Sequence, residues 1–416
     1  MINNISSVRD CYGCGVCAIA CGKKIIKLKY NKDGFYEPFI IDSGKCTECG
    51  LCVEVCSYNH DDISLTNPQI ASYAAWSKDA QIRRKCSSGG VGFEVAKTIL
   101  SNGGKVCGVR YNAEKNLAEH YVAATDQELI PSIGSKYIQS YTVDGFNDII
   151  KQLRQAKKQG ENPTYLVTGT PCQIDSFRRY IQKFRIEDNF ILLDFFCHGV
   201  PSKLMWDKYV AHVEKQVGRL TYVSWRNKFT GWHDSWAMAI DGEVKGEPVD
   251  WHESYNLLIR EKKSYLNSRR SQGDMFYRLF LSDSCLGKAC YDKCKYKYDQ
   301  SSADIRIGDA WGTAYKDDEC GVSAVLSNTQ KGVNILKKSN CTFVEHTLAL
   351  ILEGQQKKCP KRHVAYDMVM NNISNKNSTI EDVCKSFNRF VWKHRQIKRL
   401  LSPVQTLCDI FKKGRR

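Results

Sequence analysis

The chain has 416 residues and a formal charge of +16, with 42% hydrophobic and 25% charged residues. This is the composition of a folded globular protein long enough for two or three domains, and no apolar run approaches the roughly 18–20 residues of a membrane span. Twenty cysteines follow an opening (Asn3, Asn4, Ser6, Ser7) that lacks the apolar core of a signal peptide, which favours metal binding in a reducing cytoplasm over secreted disulfides.

The first stretch reads Cys11-x2-Cys14-x2-Cys17-x3-Cys21, and the same spacing returns as Cys46-x2-Cys49-x2-Cys52-x3-Cys56. Three cysteines on a tight loop with glycines (Gly13, Gly15, Gly50) can face one point, while the fourth reaches the neighbouring centre. Two cubane 4Fe-4S clusters need that arrangement, each half lending its last cysteine to the other. The spacing therefore assigns Cys11, Cys14, Cys17 and Cys56 to one cluster, and Cys46, Cys49, Cys52 and Cys21 to the second. The proline usual after the fourth cysteine is replaced by Gly22 and Ser57, which bears on packing and potential more than on ligation. Between the halves, residues 25–41 alternate apolar and polar around Asp33-Gly34, which predicts a hairpin. A polar joint, Thr66-Asn67-Pro68, closes the module.

Each 4Fe-4S centre with four thiolates carries formally about −2, so three would remove about 6 charges and leave a basic protein. Such a surface suits an acidic redox partner, an anionic lipid surface or nucleic acid, but no nucleic-acid-binding signature accompanies it.

The second part opens on Cys86-Ser87-Ser88-Gly89-Gly90-Val91-Gly92, running into a helical pattern over Phe93 to Leu100. A Ser/Gly loop at a helix start is either a phosphate seat or a plain cap. A strand over Lys105–Arg110, a helix over Ile149–Lys157, and strands over Tyr165–Thr168 and Phe190–Phe196 come next, an alternation that predicts a mixed α/β body. Two of these strands end in cysteine-bearing turns, Gly169-Thr170-Pro171-Cys172-Gln173 and Cys197-His198-Gly199. Ligands gather beyond the carboxyl ends of strands in such sheets. With Cys290 and Cys294, or Cys285 as a substitute, these cysteines make a third four-cysteine site, open to a cluster or to zinc. His198 beside Cys197 is a proton donor or a hydrogen-bonded structural residue. The stretch Ser224-Trp225-Arg226-Asn227-Lys228 to Gly231-Trp232-His233-Asp234 is either a wall for an acidic or sugar-like substrate or an aromatic hairpin packed on the core. Asp309 and Trp311 carry the same two readings.

In the tail, Phe387, Phe390, Val391, Ile397, Leu400, Leu401, Val404, Leu407 and Phe411 fall near helical spacing with a break expected at Pro403. A basic face on the same helix can lie on an anionic membrane or simply face solvent while the helix packs on its own protein.

The ordered set Ser87-Ser88-Gly89-Gly90, Gly134-Ser135-Lys136-Tyr137, Thr170-Pro171-Cys172-Gln173, Cys197-His198-Gly199, Cys290 with Cys294, and Asp304 to Gly312 resembles the coenzyme F-420 hydrogenase/dehydrogenase β subunit family, in the form with an N-terminal dicluster ferredoxin domain. The resemblance implies FAD with a 4Fe-4S cluster beside it, held by Cys172, Cys197, Cys290 and Cys294. It implies that Ser88, Gly89, Gly90, Ser135, Lys136 and Tyr137 line the flavin site. The last cysteine pair departs from the family's Cys-x2-Cys by one residue. The expected fold is α+β: a 2x(4Fe-4S) ferredoxin-like domain over 1–66, a larger mixed α/β flavin-binding domain over 67–350, and a basic helical tail over 351–416. The expected function is an oxidoreductase passing electrons between a ferredoxin-like partner and a small organic substrate, with His198 and Lys136 as candidate catalytic groups. Chains of this two-part form resemble products of polysaccharide-synthesis loci. The alternative is a non-catalytic electron-transfer subunit with clusters only.

Overall fold

The computed structural model describes residues 4–65, 69–226, 228, 231–233, 238–244, 257–259 and 274–413, with the side chains of 257–259 and 400–413 excepted. The Thr66-Asn67-Pro68 joint, Asn227 and Asp234 lie outside the described residues.

The cysteine-rich start folds around two short helices, Val16–Ala20 and Leu51–Glu54, each entered through a left-handed glycine (Gly15 φ 71°, Gly50 φ 74°). The expected hairpin is present as β1 (Ile26–Tyr30) and β2 (Tyr36–Ile40), antiparallel with Ile26 opposite Ile40. This unit is fastened to the larger body by hydrogen bonds. Thr142 Oγ1 donates to Cys14 O (2.8 Å), Gln139 Nε2 to Tyr12 O (3.0 Å), and Ser57 N to Ser176 Oγ (3.0 Å). A Cβ added at Gly15 would come within 2.3 Å of Thr142 Oγ1, so this junction requires glycine on steric as well as dihedral grounds.

The larger body is a nine-stranded mixed sheet. Its strands are β3 (Ala71–Ser77), β4 (Val106–Asn112), β5 (Leu117–Ala123), β6 (Ser140–Tyr141), β7 (Tyr165–Thr168), β8 (Phe190–Phe195), β12 (Ile305–Asp309), β13 (Ser323–Ser327) and β14 (Cys341–Glu345). A separate antiparallel sheet holds β9 (Leu220–Ser224), β10 (Met238–Gly242) and β11 (Leu257–Ile259). The nine strands run β14-β3-β13-β12-β8-β7-β4-β5-β6. β12, β8, β7 and β4 are mutually parallel, so their carboxyl ends share one edge, while β13, β3 and β14 add antiparallel pairs at one side. Helix Val143–Lys158 buries Phe146, Ile149, Ile150 and Leu153 at helical spacing, each worth about 1.5–3 kcal/mol of burial.

Two buried ion pairs lock neighbouring parts of this body together. Arg306 on β12 meets Asp194 on β8 with two contacts of 2.8 Å, both side chains inaccessible. Arg178 meets Asp304 at 3.0 Å.

The C-terminal helix Ile380–Lys413 packs Ile380, Val383, Cys384 and Phe387 into the core that also holds Trp206 and Phe276, while Trp392 and Ile397 are exposed. The helix runs through Pro403 without the expected break. The side chains of Leu400, Leu401, Val404, Leu407 and Phe411 lie outside the described residues. No helix among the described residues is long and apolar enough to cross a membrane.

His120 on β5 is enclosed; its Nε2–H donates to Thr168 O (2.9 Å) and burial lowers its pKa to about 4. The unfolded chain binds this proton first, so stability present above about pH 6.5 is lost as pH falls to about 4, on the order of 3 kcal/mol. The midpoint of thermal unfolding is therefore expected to fall more steeply over that window in the wild type than in His120→Asn. Parallel curves would remove His120 from the acid response.

Candidate functional site

The carboxyl ends of the parallel strands deliver the chemistry. β7 leads into Gly169-Thr170 and helix Pro171–Lys183, where Thr170 N donates to Gln173 Oε1 (2.9 Å) and so holds Cys172 in the first turn. β8 ends at Phe195 and hands on to Cys197 and His198. Helix Lys288–Asp292 carries Cys290, and Cys294 lies just beyond its end. Cys172, Cys197, Cys290 and Cys294 line one void of about 40 Å³, together with Cys11 and Tyr12 from the N-terminal unit. Cys285 is elsewhere: it is inaccessible, packed in the Trp206 core, and absent from that wall. Of the two alternatives open in the sequence, the void includes Cys290 rather than Cys285.

Among the described residues no three His, Cys, Asp or Glu side chains converge at single-ion distances. The four cysteines line a void instead. A cubane binds each cysteine through a different iron, whereas zinc draws all four to about 2.3 Å from one point, so the donor set fits the cluster better. Cys359, not singled out by any spacing, donates from Sγ to the backbone carbonyl of Cys294 (3.0 Å), and a side-chain contact between the Cys359 and Cys294 thiols is the first cause pulling the Cys294 thiol below its ordinary value. Burial pushes the Cys172 and Cys290 thiols up.

Among the N-terminal cysteines, the charges of Cys14 and Cys56 act on Cys11, those of Cys14, Cys56, Cys11 and Cys52 on Cys17, and those of Cys21 and Cys49 on Cys52. Asn4 Nδ2 reaches Cys46 Sγ at 3.6 Å, and Cys49 is exposed. Cys14 lies close enough to Cys172 to raise its pKa. Tyr12 packs edge-on against Tyr58 (5.3 Å) within the N-terminal unit and against Tyr296 (5.8 Å) across the junction.

Beyond the four cysteines opens a cavity of about 1310 Å³, larger than most small-ligand pockets. Its wall includes Ser88, Gly90, Ser135, Lys136, Tyr137, Cys197 and His198. Gly90 is the left-handed N-cap of helix Val91–Ser101 and offers no side-chain cap, so the helix start faces the cavity with free donors. Gly89 does not reach the wall. Its N–H donates to Ser323 Oγ (3.0 Å), and a Cβ there would meet Ala75 O at 2.3 Å, so it allows the loop to press on the sheet from behind. Ser88 Oγ donates to Val322 O (2.9 Å) in the same task.

Lys136, a candidate catalytic group, is held by the carbonyls of its own loop. Its ammonium donates to the carbonyls of Pro131, Ile133 and Gly134 at 2.9–3.1 Å, and burial lowers its pKa to about 7. All three donors are spent on the loop that carries Ser135 and Tyr137. Tyr137 stacks on Phe280 (5.4 Å, 26°). His198 Nε2 donates to Asp283 Oδ1 at 2.7 Å, and both residues line the cavity.

The aromatic stretch divides between its two readings. Trp225 is core, against Trp206 and Tyr111. Arg226 reaches the cavity and pairs with Asp309 (3.1 Å), which also accepts from Trp232 Nε1 (2.8 Å). Trp232 stacks on Trp311 (5.6 Å, 6°), and Trp311 and His233 stand on the wall.

Comparison with known proteins places this arrangement. The coenzyme F420 hydrogenase/dehydrogenase beta-subunit models match residues 72–144 (N-terminal) and 163–346 (C-terminal), and a 4Fe-4S dicluster domain matches residues 10–60. The chain belongs to the coenzyme F420 hydrogenase/dehydrogenase β-subunit family. It is an iron–sulfur chain of oxidoreductase type with an N-terminal dicluster domain. Among solved structures it is similar to a chain of the F420-reducing [NiFe] hydrogenase complex from Methanosarcina barkeri, at 16% identity and a TM-score of 0.41, covering 79% of this chain and 94% of that one. No curated protein matches significantly.

Proposed function

We propose that this β-subunit-family chain is an iron–sulfur flavoprotein oxidoreductase, linking a ferredoxin-like partner to a small organic substrate through three 4Fe-4S sites and FAD. The observation that carries it is a shared wall: Thr170, Cys197 and Lys297 border both the four-cysteine void and the large cavity. When bound, the clusters supply single electrons and the flavin supplies the conversion to a two-electron transfer.

The chain's own residues form an ordered series. Exposed Cys49 marks the outer end, with Cys21, Cys46 and Cys52 as its co-ligands. Cys11, Cys14, Cys17 and Cys56 come next, and Cys11 already lines the void of Cys172, Cys197, Cys290 and Cys294. Gly90, at the open start of helix Val91–Ser101, and Ser135 supply the seat for a diphosphate. Tyr137 and Lys136 act as wall and brace. Asp283 holds the proton of His198 on Nε2, which leaves Nδ1 to take up or release one. Trp311 and Arg226 give the substrate end an aromatic and cationic character suited to a sugar-like or acidic molecule, in keeping with work on polysaccharide precursors.

The test is to mix anaerobic holoprotein with a reduced ferredoxin and follow the flavin absorbance. Bleaching of bound flavin supports the reading. Reduction of the clusters with the flavin left oxidised, or no flavin at all, leaves the electron-transfer subunit instead.

A further inference from the structure

Among the described residues, every well-buried cation around the inner cysteines has an acid partner except one. Arg306 pairs with Asp194, Arg178 with Asp304, and Lys295 approaches Asp175. Lys297 is 7% exposed, and its ammonium donates to Cys197 O (2.6 Å), His198 O (2.9 Å) and Gln356 Oε1 (2.9 Å). None of those oxygens carries a formal charge, and among the described residues no carboxylate pairs with it. A buried ammonium surrounded only by neutral dipoles is costly unless an anion sits beside it. The group that four thiolates hold supplies that anion: a 4Fe-4S centre with four cysteines is formally negative and becomes more so on reduction.

We propose that Lys297 is the built-in counter-cation of the inner cysteine site and raises its reduction potential. The proposal rests on the reading that Cys172, Cys197, Cys290 and Cys294 hold a 4Fe-4S cluster. A fixed positive charge stabilises the reduced state over the oxidised one, and burial keeps that charge unscreened. Near the outer group the contrast is clear: the Lys45 side chain is 72% exposed, where water and salt weaken its field. Lys297 also stands on the wall of the large cavity, so the electron acceptor nearest the flavin seat is the one favoured. Lys297 is thus a positioning charge and not a catalytic residue.

The experiment is an anaerobic redox titration of the full-length holoprotein followed by electron paramagnetic resonance, on wild type, Lys297→Gln and Lys297→Arg. The inner signal is the one that Cys172→Ala removes. Lys297→Gln is expected to shift that signal to lower potential with the two N-terminal potentials unchanged, and Lys297→Arg to return it toward the wild-type value. An inner potential in Lys297→Gln equal to wild type overturns the proposal. If Lys297→Gln loses the inner iron, recovery of that iron by Lys297→Arg supports the charge role, and failure to recover it overturns it. A wild type with only two cluster signals overturns the underlying reading instead.

Discussion

Cys172→Ala is expected to lower bound iron from about twelve to about eight atoms per chain, matching the loss of one cubane, while the N-terminal clusters stay. Cys172 sits in the first turn of helix Pro171–Lys183, lines the inner void, and neighbours Cys14 of the N-terminal unit. In the proposed cluster it is the ligand that faces the junction. Removing it interrupts the series between exposed Cys49 and the large cavity, so bleaching of bound flavin by a reduced ferredoxin is expected to fall by at least tenfold. Cys285→Ala is the matched control. Its thiol is in the Trp206 core, so iron is expected at the wild-type level despite a packing cost. Iron loss in Cys285→Ala with full iron in Cys172→Ala would reverse the ligand assignment. Equal loss in both would point to a general packing effect.

The second large effect is structural and lies directly under the site. Asp194→Asn removes the acid partner of Arg306, which is inaccessible and spans β8 and β12. Arg306 Nη1 also donates to Tyr296 O and Tyr298 O (3.1 Å each), so the pair fixes the segment that carries Lys297. Breaking a buried pair from one side leaves an uncompensated charge and costs about 3–5 kcal/mol. The thermal unfolding midpoint of Asp194→Asn, measured at a fixed scan rate, is expected well below wild type. The double variant Asp194→Leu/Arg306→Met is expected to recover part of the loss, because no charge is then left buried. A double variant less stable than the sum of the single ones would show that the charges themselves support the fold.

What could be read in advance was local. The Asp33-Gly34 hairpin, strand Tyr165–Thr168 and the glycine start of helix Val91–Ser101 each depend on residues close in sequence and each forms as expected, and the repeated cysteine spacing falls within the matched dicluster domain. The wall made by Ser88, Gly90, Ser135, Tyr137 and His198 also assembles in one cavity. Non-local pairing was less legible. β3 (Ala71–Ser77) sits between β13 (Ser323–Ser327) and β14 (Cys341–Glu345), which lie far along the chain from it but close to each other, and no periodicity specifies such partners. Lys136 looked like a free cation because a lysine in a Gly-Ser loop gives no hint that three carbonyls of its own loop will take its donors. The proximity of Cys359 to Cys294 and the isolation of Lys297 from every described carboxylate depend on folding distant segments against each other. Cys285 lies in the Trp206 core just before Gly287, the N-cap of helix Lys288–Asp292, while Cys290 lies within that helix, a difference spacing alone does not settle.

The most direct measurement of the central claim is chemical analysis of anaerobically purified protein for iron, acid-labile sulfide, zinc and released flavin. About twelve irons with matching sulfide, no zinc and about one FAD per chain is the expected result for three cubane sites beside a flavin seat. About eight irons with one zinc and no flavin would contradict it, leaving a dicluster ferredoxin unit joined to a zinc-stabilised body.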